Sequence, residues 1–179
     1  ACFDLMDCNG KLGLDVICAG VDARIAAGVH KYKRLKGVSG RWAYLLSLAE
    51  HVLFRGICRP MEVRMGDVRY TGPTAIVCIC NGRHYGGGFM PVAEARMDDG
   101  VLNTLVVQKV TRRAFIRFVG PYSKGEYYKF PHLAQCYTPK VVHITSEKPD
   151  IVTCLDGECI QGSEVTIRLA DRKLNFFGP

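Results

Sequence analysis

Along the first twenty residues the apolar positions come in short runs broken by Asn9-Gly10, a dipeptide that favours a hairpin turn because both residues accept positive φ. Cys2-Phe3-Asp4-Leu5-Met6 reads as a strand that starts almost at the first residue. From Asp22 to Lys36 the spacing is helical, with Val21, Ile25 and Val29 on one side and Lys31, Lys33 and Arg34 near the C-terminal end, where cations suit the helix dipole. Gly37-Val38-Ser39-Gly40 breaks that helix, and Ser39 is the expected N-cap of a second. In the second helix Trp42, Leu45, Leu46, Ala49, Val52 and Leu53 fall at i, i+3, i+4, i+7, i+10 and i+11, a stripe predicted to be buried core.

From Met61 onward the period falls from 3.6 to 2. Met61-Glu62-Val63-Arg64-Met65 alternates as a half-buried strand should. Further strands are predicted at Ala75 to Cys80, Leu105 to Val110, Ala114 to Phe118, Val141 to Thr145, Ile151 to Cys154, Val165 to Leu169 and Leu174 to Phe177. Gly66-Asp67, Gly72-Pro73, Asp99-Gly100, Asp156-Gly157 and Gly162-Ser163 supply turns between them. Many short strands with regular turn punctuation predict an antiparallel sandwich or barrel. The expected fold is therefore mainly β, one antiparallel β-sandwich over residues 1–179 with a helical pair inserted at about 22–55.

Composition leaves that picture intact and narrows the function classes. The chain has 179 residues, 48% apolar and 23% charged, which excludes disordered and fibrous structure. Its longest apolar run, Ala75 to Cys80, is far short of the roughly 20 residues that span a bilayer. No basic stretch followed by an apolar one opens the chain, so a soluble, cytoplasmic protein is expected. The formal net charge of +7 favours anionic partners such as phosphate-bearing substrates, nucleic acid or an acidic membrane surface. Nine scattered cysteines without a C-x-x-C pair predict reduced, packed thiols, and five dispersed histidines predict no transition-metal site.

Three stretches could carry chemistry. Gly86-Gly87-Gly88 follows the most hydrophobic strand, and glycines there allow close backbone approach by a ligand. The run matches neither standard glycine-rich nucleotide cradle. Arg96-Met97-Asp98-Asp99-Gly100-Val101 joins paired carboxylates to a tight turn, which can offer a carboxylate and backbone carbonyls to a hard cation. Asp156-Gly157-Glu158 would place two carboxylates on one face if the extended conformation persisted, and close like charges raise one pKa, as a general base requires.

The order and spacing of these stretches carry a resemblance that none carries singly. Lys33-Arg34, Gly37, Ala43-Tyr44, Asn81-Gly82, Gly86-Gly87-Gly88, Pro91 and Ala93, Asp99-Gly100-Val101-Leu102 and Asp156-Gly157-Glu158 together resemble the C-terminal domain of the bacterial diacylglycerol kinase family. That lipid-kinase family includes the sphingosine and ceramide kinases and is related in fold to the NAD kinases. The resemblance implies a second, N-terminal domain with a Gly-Gly-Asp-Gly-Thr nucleotide motif. No such motif occurs here and the first residue is Ala1, so the chain is expected to be the C-terminal portion of a longer kinase. By resemblance Glu158 is the proton acceptor from the lipid hydroxyl, with Asp156 beside it. Likewise the side chain of Asp99 and the carbonyls of Arg96 and Val101 form a Mg²⁺ site. Asn103 stands where the family commonly has an aspartate, and Asp98 adds a second acid.

The resemblance thus implies phosphoryl transfer from ATP to diacylglycerol or a similar lipid alcohol, with Mg²⁺ as cofactor and Gly86, Gly87 and Gly88 as candidate contacts to the nucleotide. Expected partners are the lipid, an anionic membrane surface approached peripherally and the N-terminal kinase domain; a homodimer is admitted, and nucleic acid is not expected. The rival readings are a kinase for a sphingoid base, ceramide or undecaprenol-type alcohol, and a non-catalytic lipid-binding β-sandwich.

Overall fold

The computed structural model describes residues 1–34, 40–86 and 88–177, and of His30, Gly40 and Arg41 the backbone alone. Strands β1 (Cys2–Cys8), β2 (Lys11–Gly13) and β3 (Val16–Gly20) lead into helices α1 (Val21–Lys33) and α2 (Gly40–Glu50), and α2 runs on into a π-helical turn, His51–Arg55. Then come β4 (Arg59–Met65), the long β5 (Val68–Cys80), β6 (Asn103–Gln108) and helix α3 (Arg112–Tyr122). A 3₁₀ turn (Tyr127–Lys129) and strands β7 (Ala134–Tyr137), β8 (Val141–Thr145), β9 (Ile151–Leu155), β10 (Glu158–Gly162) and β11 (Glu164–Asn175) complete the chain. The strands pair in the order β10-β9-β3-β5-β4-β8-β11-β1-β2, with β6 bridging β5 and β7, and the named pairs are all antiparallel. The expected mainly β, antiparallel fold is thus present, as a sheet curled into a half-barrel.

Period-2 alternation splits the core in two. On β5, Ile76, Cys78 and Cys80 pack under the helices with Cys18, Leu105 and Val107. Val77 and Ile79, pointing the other way, fill the inside of the curl with Met6, Ile17, Val63, Ile144 and Ile167. Each fully buried side chain of this size contributes roughly 1.5–3 kcal/mol, so both faces stabilise the same strand. No disulfide joins any of the nine cysteines, and burial pushes the thiols of Cys8 and Cys136 up to about 11. Among the described residues no helix is long and apolar enough to cross a membrane.

Several expectations are corrected. Ala114 to Phe118 is not a strand but lies inside α3, whose Thr111 N-cap accepts from the Ala114 amide at 3.3 Å. Phe115, Phe118 and Tyr122 recur there at i, i+3 and i+7 and are buried. The two strands expected at Val165 to Leu169 and Leu174 to Phe177 are one, β11, which ends at Asn175. The N-cap expected at Ser39 and the helix end at Lys36 lie outside the described residues.

The predicted core stripe of α2 is the largest correction. Trp42, Leu45, Leu46 and Leu53 are exposed, Ala49 with them, and only Val52 of the six is buried. The buried side carries Ala43, Ser47 and His51 instead. The physical reason is the neighbour: α2 packs on α1 at Gly28, where an added Cβ would stand 2.3 Å from Ser47 Oγ. Ser47 Oγ donates to the Ile25 carbonyl at 2.8 Å, so the close contact is also a hydrogen bond.

Candidate functional site

The β9–β10 hairpin turns through Asp156 (φ +46) and Gly157 (φ +95), both in the left-handed region that a tight two-residue turn demands. Extended backbone therefore does not persist at Asp156, and the premise for two carboxylates on one face fails. Asp156 instead faces the β2–β3 turn. Its Oδ2 accepts from the Leu14 amide at 2.5 Å, and its Oδ1 accepts from the amides of Asp15 and Val16 at 3.0 Å each. A carboxylate held by three amides is fixed in position and stabilised as the anion. Glu158, the first residue of β10, is exposed.

The carboxylate that actually neighbours Asp156 is Asp15, which the sequence reading did not single out. Burial first, and then the charge of Asp156, push the Asp15 carboxyl up to about 6, with His84 pulling the other way. Asp15 Oδ1 and Asn81 Oδ1 are buried without a hydrogen-bond partner among the described residues. Gly82 is what lets the strand approach so closely: a Cβ there would stand 2.0 Å from Asp15 Oδ1 and 2.2 Å from Met97 Cε. The amides of Asn81 and Gly82 both donate to the Asp15 carbonyl, at 3.0 and 2.8 Å.

Asn81 connects this cluster to the Arg96–Val101 turn. Its Nδ2 donates to the carbonyls of Leu14, at 2.6 Å, and Asp4, at 2.8 Å. Asp4, 4% exposed, receives the Gly100 amide on Oδ2 at 2.8 Å and pairs with Lys173 Nζ at 2.7 Å. Its amide in turn donates to the Met97 carbonyl at 2.6 Å. The structure thus brings the two predicted turns onto one hydrogen-bonded network through two residues, Asp4 and Asn81. A signal for Asp4 was present: it shares the inward parity of Met6 and Cys8 on β1.

Within the turn, Asp98 is paired with Arg96 (Nε to Oδ1, 3.2 Å), which holds the Asp98 carboxyl below the usual range. Asp99 Oδ1 accepts from the Val101 amide at 3.0 Å and its side chain is exposed. The extra acid is therefore paired, and the donors expected at this turn, the Asp99 carboxylate and the carbonyls of Arg96 and Val101, are all oxygens, the donor type that a hard cation takes. Among the described residues no cluster of three His, Cys, Asp or Glu side chains could hold a metal ion, so any such site would depend on backbone oxygens.

The glycine run sits elsewhere, at the tip of a tight turn closed by Tyr85 and Phe89, whose backbones bond in both directions at 2.9 and 3.0 Å. Gly86 (φ +55) and Gly88 (φ +110) have open space where a Cβ would be, while the Gly88 amide is used internally, donating to the Tyr85 carbonyl. Gly87 lies outside the described residues. Beneath this turn Asp22 Oδ2 accepts from the hydroxyls of Tyr85 and Tyr122, the latter at 2.7 Å. Burial pushes the Asp22 carboxyl up, and the two hydroxyl bonds only partly offset it. This second acid with a raised carboxyl was also missed, because an aspartate in a helix's first turn is ordinarily explained by the helix dipole.

Known proteins match this architecture along nearly its whole length. The family model of the YegS C-terminal NAD kinase beta sandwich-like domain covers residues 15–178. Over 111 residues the chain is 32% identical to a Pseudomonas aeruginosa protein described as a probable lipid kinase, YegS-like, an alignment covering 58% of this chain and 33% of the relative. Among solved structures, a candidate diacylglycerol kinase from Bacillus anthracis superposes with a TM-score of 0.67 at 19% identity, over 95% of this chain and 54% of that one. A further diacylglycerol kinase structure from the same species gives 0.57 at 16% identity, over 94% and 50%. The match spans a third of the curated relative and about half of the solved chains. At such low identity the solved structures speak for the fold, which agrees with the half-barrel seen here. The fitted family model then closes the case: the chain belongs to the family of the YegS C-terminal NAD kinase beta sandwich-like domain, among lipid kinase relatives.

Proposed function

We propose that this chain is the acceptor-lipid part of a lipid kinase that moves the γ-phosphate of ATP to the hydroxyl of diacylglycerol or a similar lipid alcohol, with a nucleotide-binding domain completing the enzyme. The observation that carries the reading is the division of labour in the β9–β10 hairpin of a family member. Asp156 is committed to three amides and fixes the turn, while Glu158 is exposed at its rim. Glu158 accepts the proton of the lipid hydroxyl as that oxygen attacks the γ-phosphorus; the bond from γ-phosphorus to the β-γ bridging oxygen breaks, and ADP leaves. Asp156 positions the hairpin, and Asp15 beside it makes the local charge dependent on pH near 6. Asp99 and the carbonyls of Arg96 and Val101 hold Mg²⁺, which supplies electrostatic order to the turn when bound. The backbone at Gly86 and Gly88, with open space beside it, is left for the nucleotide's approach.

The test is phosphorylation by the whole gene product of a panel containing diacylglycerol, ceramide, a sphingoid base and an undecaprenol-type alcohol, with γ-labelled ATP. Glu158→Gln should lower kcat by roughly 10²–10⁴ with an unchanged melting temperature. Asp156→Asn should give the smaller kcat loss and the larger loss of stability. Label on ceramide alone would change the acceptor; no label on any lipid would leave a lipid-binding module. For the metal, Asp99→Ala should lower thermal stability more in Mg²⁺ than in chelator, and equal losses would return Asp99 to being an ordinary turn residue.

A further inference from the structure

Cysteines that lie far apart in sequence stand in one row across the sheet. Register places Cys159 of β10 opposite Cys154 of β9, Cys154 opposite Cys18 of β3, and Cys18 opposite Cys78 of β5. Cys80, next on the same face of β5, has its Sγ 3.6 Å from that of Cys78. Most of the row packs as small hydrophobic side chains do. The outermost pair differs in place and in access. Cys154 and Cys159 flank Leu155-Asp156-Gly157-Glu158, the hairpin tip that carries the proposed base. Cys159 is also partly exposed, whereas Cys18, Cys78 and Cys80 are buried.

Backbone parity makes this pair a close one. The Asp156 amide donates to the Val16 carbonyl at 3.2 Å, so alternate residues of β9, Cys154 among them, turn their amides and carbonyls toward β3. Cys154 and Cys159 are therefore a non-hydrogen-bonded pair, whose Cα atoms stand about 4.5 Å apart. That separation lies inside the roughly 4.4–6.8 Å that a disulfide spans. The two thiols are already hydrogen-bonded to each other, and Cys159 Sγ also donates to the Ala23 carbonyl of α1 at 3.8 Å. The bond to Cys154, and then burial, hold the Cys159 thiol well above its ordinary range. Thiolate is therefore scarce, and oxidation is slow beside that of the exposed Cys2. The pair answers a sustained oxidant and ignores a brief one.

We propose that Cys154 and Cys159 are a redox modification site, which a peroxide converts to a disulfide that resets the hairpin holding Glu158. The Cys159 thiolate attacks one peroxide oxygen and the O–O bond breaks; hydroxide leaves, takes a proton to become water, and a sulfenic acid remains. The Cys154 sulfur then attacks the Cys159 sulfur, the S–O bond breaks, and the departing hydroxide takes the Cys154 proton and leaves as a second water. Two thiols thus lose two protons and two electrons, and the peroxide is reduced to two waters. The cross-link removes the S–H that Cys159 gives to Ala23 and draws β10 from α1 toward β9. Glu158, adjacent on the same strand, moves with it. The bond closes only the short loop from Cys154 to Cys159, so the chain-entropy gain is small and a dithiol reductant reverses it. Its effect on turnover rests on the lipid-kinase reading; the bond itself does not.

The chain carrying Cys2→Ser, which removes the exposed thiol that would cross-link copies, is treated with excess hydrogen peroxide, blocked with N-ethylmaleimide and digested with trypsin. Cleavage after Lys140 and Arg168, with Lys148 protected by Pro149, leaves Cys154 and Cys159 as the only cysteines of one peptide. That peptide is expected about 2 Da lighter and free of maleimide, and dithiothreitol should restore both reactive thiols. In the whole gene product, oxidation should lower lipid phosphorylation about tenfold, as a displaced reacting group does, and dithiothreitol should restore it. Cys159→Ser should abolish both the mass change and the loss of turnover with an unchanged melting temperature; Cys154→Ala takes its place if that temperature falls. A peptide that keeps both maleimides, a disulfide to Cys18 or Cys136 instead, or oxidation without effect on turnover would overturn the proposal. A reduced protein that phosphorylates no lipid, yet forms the disulfide, would overturn the kinase reading and support the redox site.

Discussion

Helices α2 and α3 flank the same face of the sheet and meet through one ring: Phe89 lies 5.9 Å from Tyr44 of α2 and 6.2 Å from Tyr122 of α3. Both carry large apolar side chains at helical spacing, yet they turn them in opposite directions. α3 lies on the sheet and buries Phe115, Phe118 and Tyr122, leaving arginines in water. α2 packs chiefly against α1 and buries Ala43 and Ser47, leaving Trp42, Leu45 and Leu46 in water. A sheet of Val, Ile and Cys offers a broad apolar surface that rewards large side chains. A helix with Gly28 at its closest point offers a narrow groove that admits only small ones. Periodicity therefore locates a stripe, and the neighbour decides whether the stripe is core.

The contrast is most easily broken at its extremes. Phe118→Ala should cost about 3–5 kcal/mol in urea unfolding, as large core truncations do, whereas Leu46→Ala should stay within about 0.5 kcal/mol. Comparable losses would mean that α2 hides its stripe in solution. Next in size is the α1–α2 contact. Gly28→Ala should cost about 1–3 kcal/mol, because its Cβ meets Ser47 Oγ at 2.3 Å, and should cost less in a Ser47→Ala background. Additive losses would show that the two helices do not touch there.

The smallest effect is electrostatic and belongs to the α3 side, where Tyr122 donates to Asp22. Burial raises the Asp22 carboxyl above its ordinary 3.8. The folded protein therefore binds that proton more tightly than the unfolded chain, and stability falls as pH rises from about 4 through the folded pKa. Asp22→Asn should flatten this part of the melting-temperature profile, whereas exposed changes on α2 should leave it alone. A profile unchanged by Asp22→Asn would show that the carboxyl is not buried in solution.

Legibility differed in the same way between parts of the candidate site. Asp156-Gly157 and Asn9-Gly10 were readable as turns, because positive φ at both positions is a local demand that these residues meet. The partners of those turns were not readable. Asp156 meets the amides of Leu14, Asp15 and Val16 across 140 to 142 residues of sequence, and nothing near Asp156 announces them. Asp4 could have been found, since a carboxylate on the inward parity of a strand must have partners, here Gly100 and Lys173. Asp15 could not, because its raised pKa depends on burial and on Asp156, both supplied by folding.

By itself, then, the chain's sequence determined what is local. Alternation over Met61 to Met65 and Ala75 to Cys80 set strands with two buried faces, helical spacing set α1 and α2, and the ordered set of glycine and aspartate motifs marked the family. Even here locality misled at Ala114 to Phe118, where the cap at Thr111 and the i, i+3, i+7 spacing of Phe115, Phe118 and Tyr122 outweighed strand-like composition. Only the tertiary structure decided which side of α2 met water, which acid stood beside Asp156, and that Asn81 joined the two acidic turns. The reason is that burial, hydrogen-bond partners and pKa are properties of pairs of segments brought together, and the pairing is made by the curl of the sheet, not by either segment alone.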